Sequence, residues 1–428
     1  MQNRRTFLAN SLTTAGVVAC GQTAPLFLSR TAAAAPATNR PGAKETVLVV
    51  VQLTGGNDGL NTVVPFADDG YPKLRKALRI PTKDLKKVND SVGLHPSLAG
   101  FAELLEDHAL AIVQGVGYPN PNESHFRSMD IWQAASLAEE LNEGWLGKAL
   151  VRIPASPAFH VAAPNEQSWL ALTGAPSKVP SITSLQEFQL QTLAASGVDH
   201  DRQRKLIELD AVRRSPSSDT SSSDTSSSES SGRASLLDFV RHTAVNTYAN
   251  SQRLHELAKN YQPAVPYPNS GLASRLKLIA QLIEADLGAR IFYITLNGFD
   301  THANQSAIHA NLLRELSDAA TAFFKDMSAR GHRDRVLLMT FSEFGRRAKE
   351  NQSQGTDHGS AAPMFLVGGR VRPGVIGAHP SLSDLVMDKL KHHTDFRQVY
   401  AAVLEQWLGI ASKPVLDGQF QPVQILRS

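Results

Sequence analysis

Residues 46–59 read Thr-Val-Leu-Val-Val-Val-Gln-Leu-Thr-Gly-Gly-Asn-Asp-Gly, an apolar run followed by a glycine-rich turn. The run is short and β-branched, and Gly55 and Gly56 close it, which is typical of a buried strand. A strand with apolar side chains on both faces must be covered on both faces. The stretch therefore predicts a central strand of a sheet that lies between two layers of helices.

Similar apolar runs continue along the chain and alternate with amphipathic stretches. The further predicted strands are 109–114, 290–296, 335–341 and 363–367. The predicted helices are 126–141, 306–330 and 396–408. This alternation predicts an α/β fold with a mostly parallel central sheet and helices on both faces, within a single domain of residues 44–428.

The composition is that of a folded protein without a nucleic-acid partner. The 428 residues are 42% hydrophobic and 19% charged, which is enough to bury a core. The formal net charge is only +3 and aromatic residues make up 7%. No basic stripe interleaved with aromatic residues was found, so nucleic-acid binding is not expected.

The N-terminus is typical of an export signal. Arg4 and Arg5 precede a weakly apolar run and an alanine-rich end, which together predict a twin-arginine signal peptide over residues 1–37. Polar residues interrupt the run too early for a transmembrane anchor, which needs roughly 20 apolar residues. The expected location is periplasmic or secreted, with the twin-arginine translocase as partner during export. The alternative is a lipoprotein attached through Cys20, the only cysteine.

Residues 215–232 differ from the rest of the chain. Eleven of these eighteen residues are serine, and the stretch has no apolar side chain to bury. Such composition predicts a disordered insertion within one domain. A linker between two domains is the alternative.

Polar residues of metal-binding types follow the predicted strands or, for the fifth strand, precede it. In open α/β sheets ligands bind outside the carboxyl ends of the strands, so these residues are expected to meet at one rim. Taken alone, each motif is equally compatible with a turn, a helix cap or a loop. The predicted metal ligands are Asp58, Asp300, His302, Glu343 and His358. The possible additional site residues are Asn57, His125, Arg346 and Asp357.

The chemistry that this set favours is metal-assisted transfer or hydrolysis. One or two divalent ions can bind the attacking and leaving oxygens of a displacement, with zinc, calcium, magnesium and manganese all open. Ser124 precedes a predicted helix, where the free N–H groups favour an anion, so it is the candidate nucleophile. Arg127 and Arg346 could hold that anion. The alternative is that Ser124 only caps the helix.

Several motifs together resemble a known family. They are Gly55-Gly-Asn-Asp-Gly59, Leu94-His-Pro-Ser-Leu98, Ala111-Ile-Val-Gln-Gly-Val-Gly117, Ser124-His-Phe-Arg127, Gly298-Phe-Asp-Thr-His302, Ser342-Glu-Phe-Gly-Arg346 and Asp357-His-Gly359. With the exported N-terminus, they resemble the "domain of unknown function 1501" family over nearly all of the chain from about residue 44. That family is similar to the alkaline phosphatase and sulfatase superfamily, which implies an alkaline phosphatase-like fold with divalent metals at the carboxyl rim.

The resemblance also implies roles for individual residues. It implies that Asp58 is the acidic ligand after the first strand and that Ser124 is the nucleophile. It implies that Asp300 and His302 bind one metal, that Glu343 is the acidic ligand of the other, and that His358 is the late histidine ligand. No cysteine stands at the nucleophile position, which argues against sulfatases that need a modified cysteine.

Two functions follow as expectations. The first is an exported, metal-dependent hydrolase that acts on a phosphate or sulfate ester of a small molecule or polymer. The second is a catalytically degenerate hydrolase fold that acts as an extracytoplasmic binding protein. The two differ at the rim, because an enzyme must bring its candidate residues together.

Overall fold

The computed structural model describes residues 45–153, 158–164, 166, 169–176, 179–185 and 260–427. Pro41–Thr183 and Tyr261–Ser428 together form one compact unit, the first unit below. The fold and the candidate site belong to the first unit. The predicted signal peptide and serine-rich insertion lie outside the described residues and stay predictions.

The strands observed are close to those predicted. In chain order they are β1 (Val47–Thr54), β2 (Val63–Val64), β3 (Lys86–Lys87), β4 (Gly93–Leu94), β5 (Leu110–Gly117), β6 (Ala158–Val161), β7 (Ser181–Ile182), β8 (Ile291–Asn297), β9 (Val336–Phe341), β10 (Ala362–Val367), β11 (Gly374–Ile376), β12 (Leu385–Val386), β13 (Lys389–Leu390) and β14 (Thr394–Asp395). The five predicted strands correspond to β1, β5, β8, β9 and β10, since long apolar runs are the clearest signal of a buried strand.

The helices vary widely in length. They are α1 (Gly59–Thr62), α2 (Tyr71–Leu74), α3 (Ala99–Glu106), α4 (His125–Ala134), α5 (Trp145–Leu150), α6 (Gly271–Glu284), α7 (Gln305–Ala329), α8 (Phe396–Ala402) and α9 (Lys413–Leu416), with 3-10 turns at Thr82–Asp84 and Leu170–Leu172 and a π-helical turn at Val403–Trp407. Helix α7 matches its prediction. Helix α4 ends earlier than predicted, because Ala135 adopts a left-handed conformation with φ of 56°.

Nine strands form the central sheet within the described residues, in the order β11-β5-β10-β9-β1-β8-β6-β7, with β14 also paired to β5. Strand β1 is parallel to both of its neighbours, β8 and β9. Strand β10 is antiparallel to β5 and β9. All other strand pairs within this sheet are parallel. The prediction of a mostly parallel sheet is therefore confirmed, with β10 as the reversed strand.

Both faces of the sheet are covered, as its apolar strands require. On one face Leu48 and Val50 belong to a buried cluster with the aromatic side chains of helices α4, α5 and α8. There Trp132 stacks on Phe396 with ring centroids 4.3 Å apart. On the other face Phe365 of β10 packs against Phe101 of helix α3, with centroids 4.9 Å apart. Burial of this apolar surface is the main stabilising term of the fold.

The reversal of β10 has a consequence for the site. The carboxyl ends of β1, β5, β8 and β9 lie at one rim of the sheet, and an antiparallel strand places its amino end at that same rim. Residues that precede β10 therefore meet residues that follow the other strands. This places Asp357 and His358 beside the β8–α7 turn.

Candidate active site

Asp300 lies at the centre of a cluster at this rim, three residues after β8. Its Oδ1 atom is 3.0 Å from His302 Nε2 and 3.1 Å from His358 Nε2. Its Oδ2 atom is 3.3 Å from His125 Nε2. The two imidazole atoms His302 Nε2 and His358 Nε2 are themselves 3.0 Å apart. Three histidine nitrogens thus face one carboxylate from three different segments of the chain.

Each histidine also has an acceptor for its other ring nitrogen. Glu343 Oε1 lies 3.0 Å from His125 Nδ1, and the carbonyl oxygen of Glu123 lies 2.8 Å from His358 Nδ1. Asp357 Oδ1 is 3.4 Å from His302 Nδ1, a longer contact. Each Nδ1–H can donate to its acceptor, which leaves the three Nε2 atoms directed at Asp300.

Glu343 contacts the Nδ1 atom of His125, on the side of the ring away from Asp300. It is fully buried, and its Oε1 also accepts the backbone N–H of Gly55 at 2.7 Å. The hydrogen bond to Glu343 raises the pKa of His125. His125 Nε2 is buried and has no hydrogen-bond partner in the structure. A buried polar atom without a hydrogen-bond partner is costly unless a ligand satisfies it.

Arg346 forms an ion pair with Asp300. Its buried guanidinium donates to Asp300 Oδ1 at 2.6 Å and to the backbone carbonyl of Phe299 at 3.0 Å. It also donates to the carbonyls of Gly55, Gly56 and Thr356. Partial burial acts to raise the pKa of Asp300, but the hydrogen bonds from Arg346 and His358 outweigh it and lower the pKa to about 2. Asp300 is therefore an anion at neutral pH.

The donor set fits a divalent metal ion. One ligand atom each from His125, Asp300 and His358 lies within 4.8 Å of the others. Ligands about 2.0–2.2 Å from one ion are separated by distances of this order, and the second-layer acceptors orient the rings as in histidine metal sites. Two imidazoles and one carboxylate suit zinc and similar borderline metals better than calcium or magnesium.

Asp58 lies in a different environment. Its carboxylate is fully buried and pairs with both terminal nitrogens of Arg75, at 2.5 and 2.8 Å. The side-chain amide of Gln305 donates to it as well. The neighbouring Asn57 accepts from Thr62 through its side-chain oxygen. The structure therefore places Asp58 in a charge-paired network, while Asp300, His302 and His358 come together with His125.

Ser124 and Arg127 flank the cluster at the start of helix α4. Ser124 is exposed at the N-cap position, between Glu123 and His125, and its side chain makes no capping hydrogen bond. Arg127 instead donates to backbone carbonyls of the segment after the helix, including that of Glu139 at 3.1 Å. Ser124 thus directly precedes His125 of the cluster, and the Arg127 guanidinium is engaged elsewhere.

Sequence reasoning underrated some residues and missed others. His125 was only a possible additional residue, although it directly follows the candidate nucleophile. The Arg75 partner of Asp58 carried no sequence signal, because a cation 17 residues away has no fixed spacing to a metal motif. Asn351, which donates to Asp357 at 3.1 Å, was missed for the same reason.

No helix among the described residues is long and apolar enough to cross a membrane.

The fold is similar to those of several solved structures at low sequence identity. One is the PsFucS1 sulfatase from Pseudoalteromonas sp., with a TM-score of 0.37, 11% identity, and coverage of 89% of this chain and 71% of that chain. Another is the lipoteichoic acid synthase LtaP from Listeria monocytogenes, with a TM-score of 0.38, 10% identity, and coverage of 90% and 77%. A third is a protein of the alkaline phosphatase superfamily from Vibrio parahaemolyticus, with a TM-score of 0.38, 9% identity, and coverage of 93% and 78%.

No curated protein sequence matches the chain. A family model described as "Protein of unknown function (DUF1501)" matches residues 45–407, which include every residue of the cluster around Asp300. The match spans most of the chain and confirms the resemblance drawn from the motifs. The chain therefore belongs to the DUF1501 family.

Proposed function

We propose that this protein is an exported, metal-dependent hydrolase of phosphate or sulfate esters. The observation that carries the proposal is the convergence of the Nε2 atoms of His125, His302 and His358 on Asp300. A divalent cation at this point would bind the ring nitrogens and neutralise the carboxylate, and the acceptors at Nδ1 would orient the rings.

The geometry supports one ion. Asp58, the candidate acidic ligand of a second ion, is already neutralised by Arg75. Arg346 occupies the space between the β1 turn and Asp300 with a second buried guanidinium. A further cation there would meet like charges in a buried setting, which is strongly unfavourable.

The ion, Ser124 and the N-terminus of helix α4 would have different roles in hydrolysis. When bound, a divalent ion supplies a Lewis acid for an ester oxygen and favours the ionised form of a nearby hydroxyl group. Ser124 offers that hydroxyl group, and its side chain is not engaged in capping helix α4. The unpaired backbone N–H groups in the first turn of this ten-residue helix can bind the non-bridging oxygens of the ester.

The nature of the ester follows from this arrangement. A phosphate or sulfate group carries several anionic oxygens, and it can face the cation and the helix N-terminus together. The nucleophile position holds serine, so the chemistry does not depend on a modified cysteine. The substrate is a small molecule or a polymer that carries such an ester.

Export is the remaining part of the proposal. Arg4 and Arg5 precede the weakly apolar run, which favours the twin-arginine translocase as the partner. That route carries folded proteins, so the ion can be inserted in the cytoplasm before export. The expected destination is the periplasm or the medium.

Metal analysis of the purified full chain tests the site. We expect close to one equivalent of a divalent metal, its loss in Asp300→Ala, and its retention in Asp384→Ala. Asp384 is an exposed carboxylate that pairs with Lys391, and it serves as the matched control. The proposal fails if Asp300→Ala leaves the metal content unchanged.

Activity is then measured on the metal-replete chain with 4-nitrophenyl phosphate, bis(4-nitrophenyl) phosphate and 4-nitrophenyl sulfate. We expect turnover of at least one ester, lost in Asp300→Ala and retained in Asp384→Ala. Bound metal without turnover of any ester would contradict the hydrolase and favour a binding protein built on the same fold.

A further inference from the structure

A strongly basic segment lies beside the candidate site. Residues Lys73–Lys87, called the basic segment below, read Lys-Leu-Arg-Lys-Ala-Leu-Arg-Ile-Pro-Thr-Lys-Asp-Leu-Lys-Lys. Seven of these fifteen residues are Lys or Arg, and Asp84 is the one acid among them. The whole chain, by comparison, carries a net charge of only +3.

The inner side of the basic segment is fixed to the protein. Arg75, Leu78 and Leu85 are buried. The carbonyl of Leu78 accepts from Asn61 at 2.8 Å, and the carboxylate of Glu350 accepts from the backbone N–H groups of Ala77 and Leu78. These contacts hold the segment in one position, and Lys87 Nζ additionally lies 5.5 Å from the centre of the Phe66 ring.

The remaining cations point outward. They are Lys73, Lys76, Arg79, Lys83, Lys86 and Lys87, and all six are exposed. None of them lies within 4.0 Å of a carboxylate oxygen in the part of the chain that the structure describes. Exposed cations close together along the chain create a positive potential that attracts anions over roughly a Debye length, about 8–10 Å at moderate salt.

Arg75 connects the basic segment to the candidate site. Its guanidinium donates to the carbonyls of Ala348 at 2.7 Å and Arg347 at 3.0 Å. Arg347 in turn donates to the carbonyl of His358 at 3.3 Å and lies 3.6 Å from Glu123. The basic segment thus adjoins the loop that carries Arg346 and leads to the histidine cluster.

We propose that the basic segment binds an anionic polysaccharide that carries several sulfate or phosphate groups, and that it holds this polymer while one ester lies at the histidine cluster. The inference rests on the proposed function for its substrate class. Repeated anionic groups complement a segment rich in exposed cations, and their binding releases counterions.

Two features of the basic segment favour a polysaccharide. Single-stranded nucleic acids bind to exposed aromatic side chains as well as to cations, and the segment contains no aromatic residue. Membrane surfaces bind segments that also insert large apolar side chains. None of the exposed large hydrophobic residues among the described residues falls within Lys73–Lys87.

Binding of the full-length chain to dextran sulfate tests the inference, with neutral dextran, double-stranded DNA and phosphatidylglycerol vesicles as competing ligands. The test variant is Lys83→Gln/Lys86→Gln/Lys87→Gln. The matched control, Arg152→Gln/Arg314→Gln/Lys413→Gln, removes three exposed cations from other elements. We expect the test variant to bind dextran sulfate about ten-fold more weakly at low salt, with a shallower salt dependence, and the control to bind as the parent does.

Different results of this experiment would overturn different parts of the inference. Equal losses in the two variants would show that only net charge matters and would overturn the inference. Tighter binding of DNA or of vesicles than of dextran sulfate would overturn the choice of polysaccharide. Binding of dextran sulfate needs neither metal nor turnover. A failed metal analysis would therefore reject the proposed function without affecting this measurement. A failed binding measurement would reject the inference and leave the metal analysis unaffected.

Discussion

Arg75 and Asp58 form a two-pronged ion pair whose side chains are both fully buried, with Nη1–Oδ2 and Nη2–Oδ1 distances of 2.5 and 2.8 Å. This pair gives Asp58 a buried structural partner. It also fixes the start of the basic segment to the turn after β1. One contact thus bears on the number of metal ions, on stability and on the placement of the proposed substrate surface.

Replacement of Asp58 should affect stability and leave metal binding intact. Asp58→Asn leaves the Arg75 guanidinium buried without its counter-charge, which we expect to cost about 3–5 kcal/mol in the free energy of unfolding. Denaturant unfolding and metal analysis of the same sample measure the two effects. Glu103→Gln, which breaks the exposed pair with Lys325, should cost less than about 1 kcal/mol. Loss of metal with unchanged stability would show instead that Asp58 is a ligand.

The same pair predicts a pH dependence of stability. Burial acts to raise the pKa of Asp58, but the charge of Arg75 outweighs it and lowers the pKa from 3.8 to about 2. A carboxyl group with a lowered pKa stabilises the fold above its unfolded pKa, and this contribution is lost as the pH falls through the folded pKa. Between about pH 4 and pH 2 we expect the free energy of unfolding of the parent to fall by about 2 kcal/mol more than that of Asp58→Asn. An equal change in the free energy of unfolding of the parent and of Asp58→Asn across this range would contradict the lowered pKa of Asp58.

Glu343 should tune the metal affinity through His125. Glu343→Ala removes the acceptor of His125 Nδ1–H, and loss of such a partner weakens metal binding by about 10- to 100-fold. Glu343→Gln retains an acceptor oxygen and should recover part of that loss. Competition with a metal chelator measures the affinity, with Asp300→Ala as the reference for a lost ligand. A Glu343→Ala variant as metal-free as Asp300→Ala would mean that Glu343 binds the ion directly.

Ser124 should be needed for turnover and not for stability. Its side chain makes no capping hydrogen bond, so Ser124→Ala should change the free energy of unfolding by less than about 0.5 kcal/mol. Ser270 accepts the N–H of Ala273 at 3.2 Å, so Ser270→Ala should show the usual cap loss of about 1 kcal/mol. We expect Ser124→Ala to abolish ester hydrolysis at unchanged metal content. Retention of most of the activity would point to water as the nucleophile.

Export should depend on the paired arginines. Twin-arginine signals require both guanidinium groups, so Arg4→Lys/Arg5→Lys should leave the full-length precursor in the cytoplasm. Cell fractionation measures the distribution, and Arg30→Lys, within the same segment, is the control. Normal export of the double variant would reject this route.

Much of the fold could be read from the sequence because its strands are buried on both faces. Such strands appear as apolar runs that few other structures explain, so β1, β5, β8, β9 and β10 were all found. The direction of β10 carries no such signal, since an apolar run reads the same for a parallel and an antiparallel strand. Pairing with β5 and β9 decided it, and this reversal brings His358 to the rim beside Asp300.

The sequence by itself determined the fold class, the family and the set of residue types that meet at the rim, because these depend on local patterns and motif spacing. Only the tertiary structure decided how the set divides. Asp58 pairs with Arg75, Glu343 accepts from His125, and His125 faces Asp300, since each of these contacts joins segments with no fixed sequence separation. Whether a buried carboxylate meets a guanidinium or an imidazole depends on which side chain the packing brings within about 3 Å, and no local pattern encodes that distance.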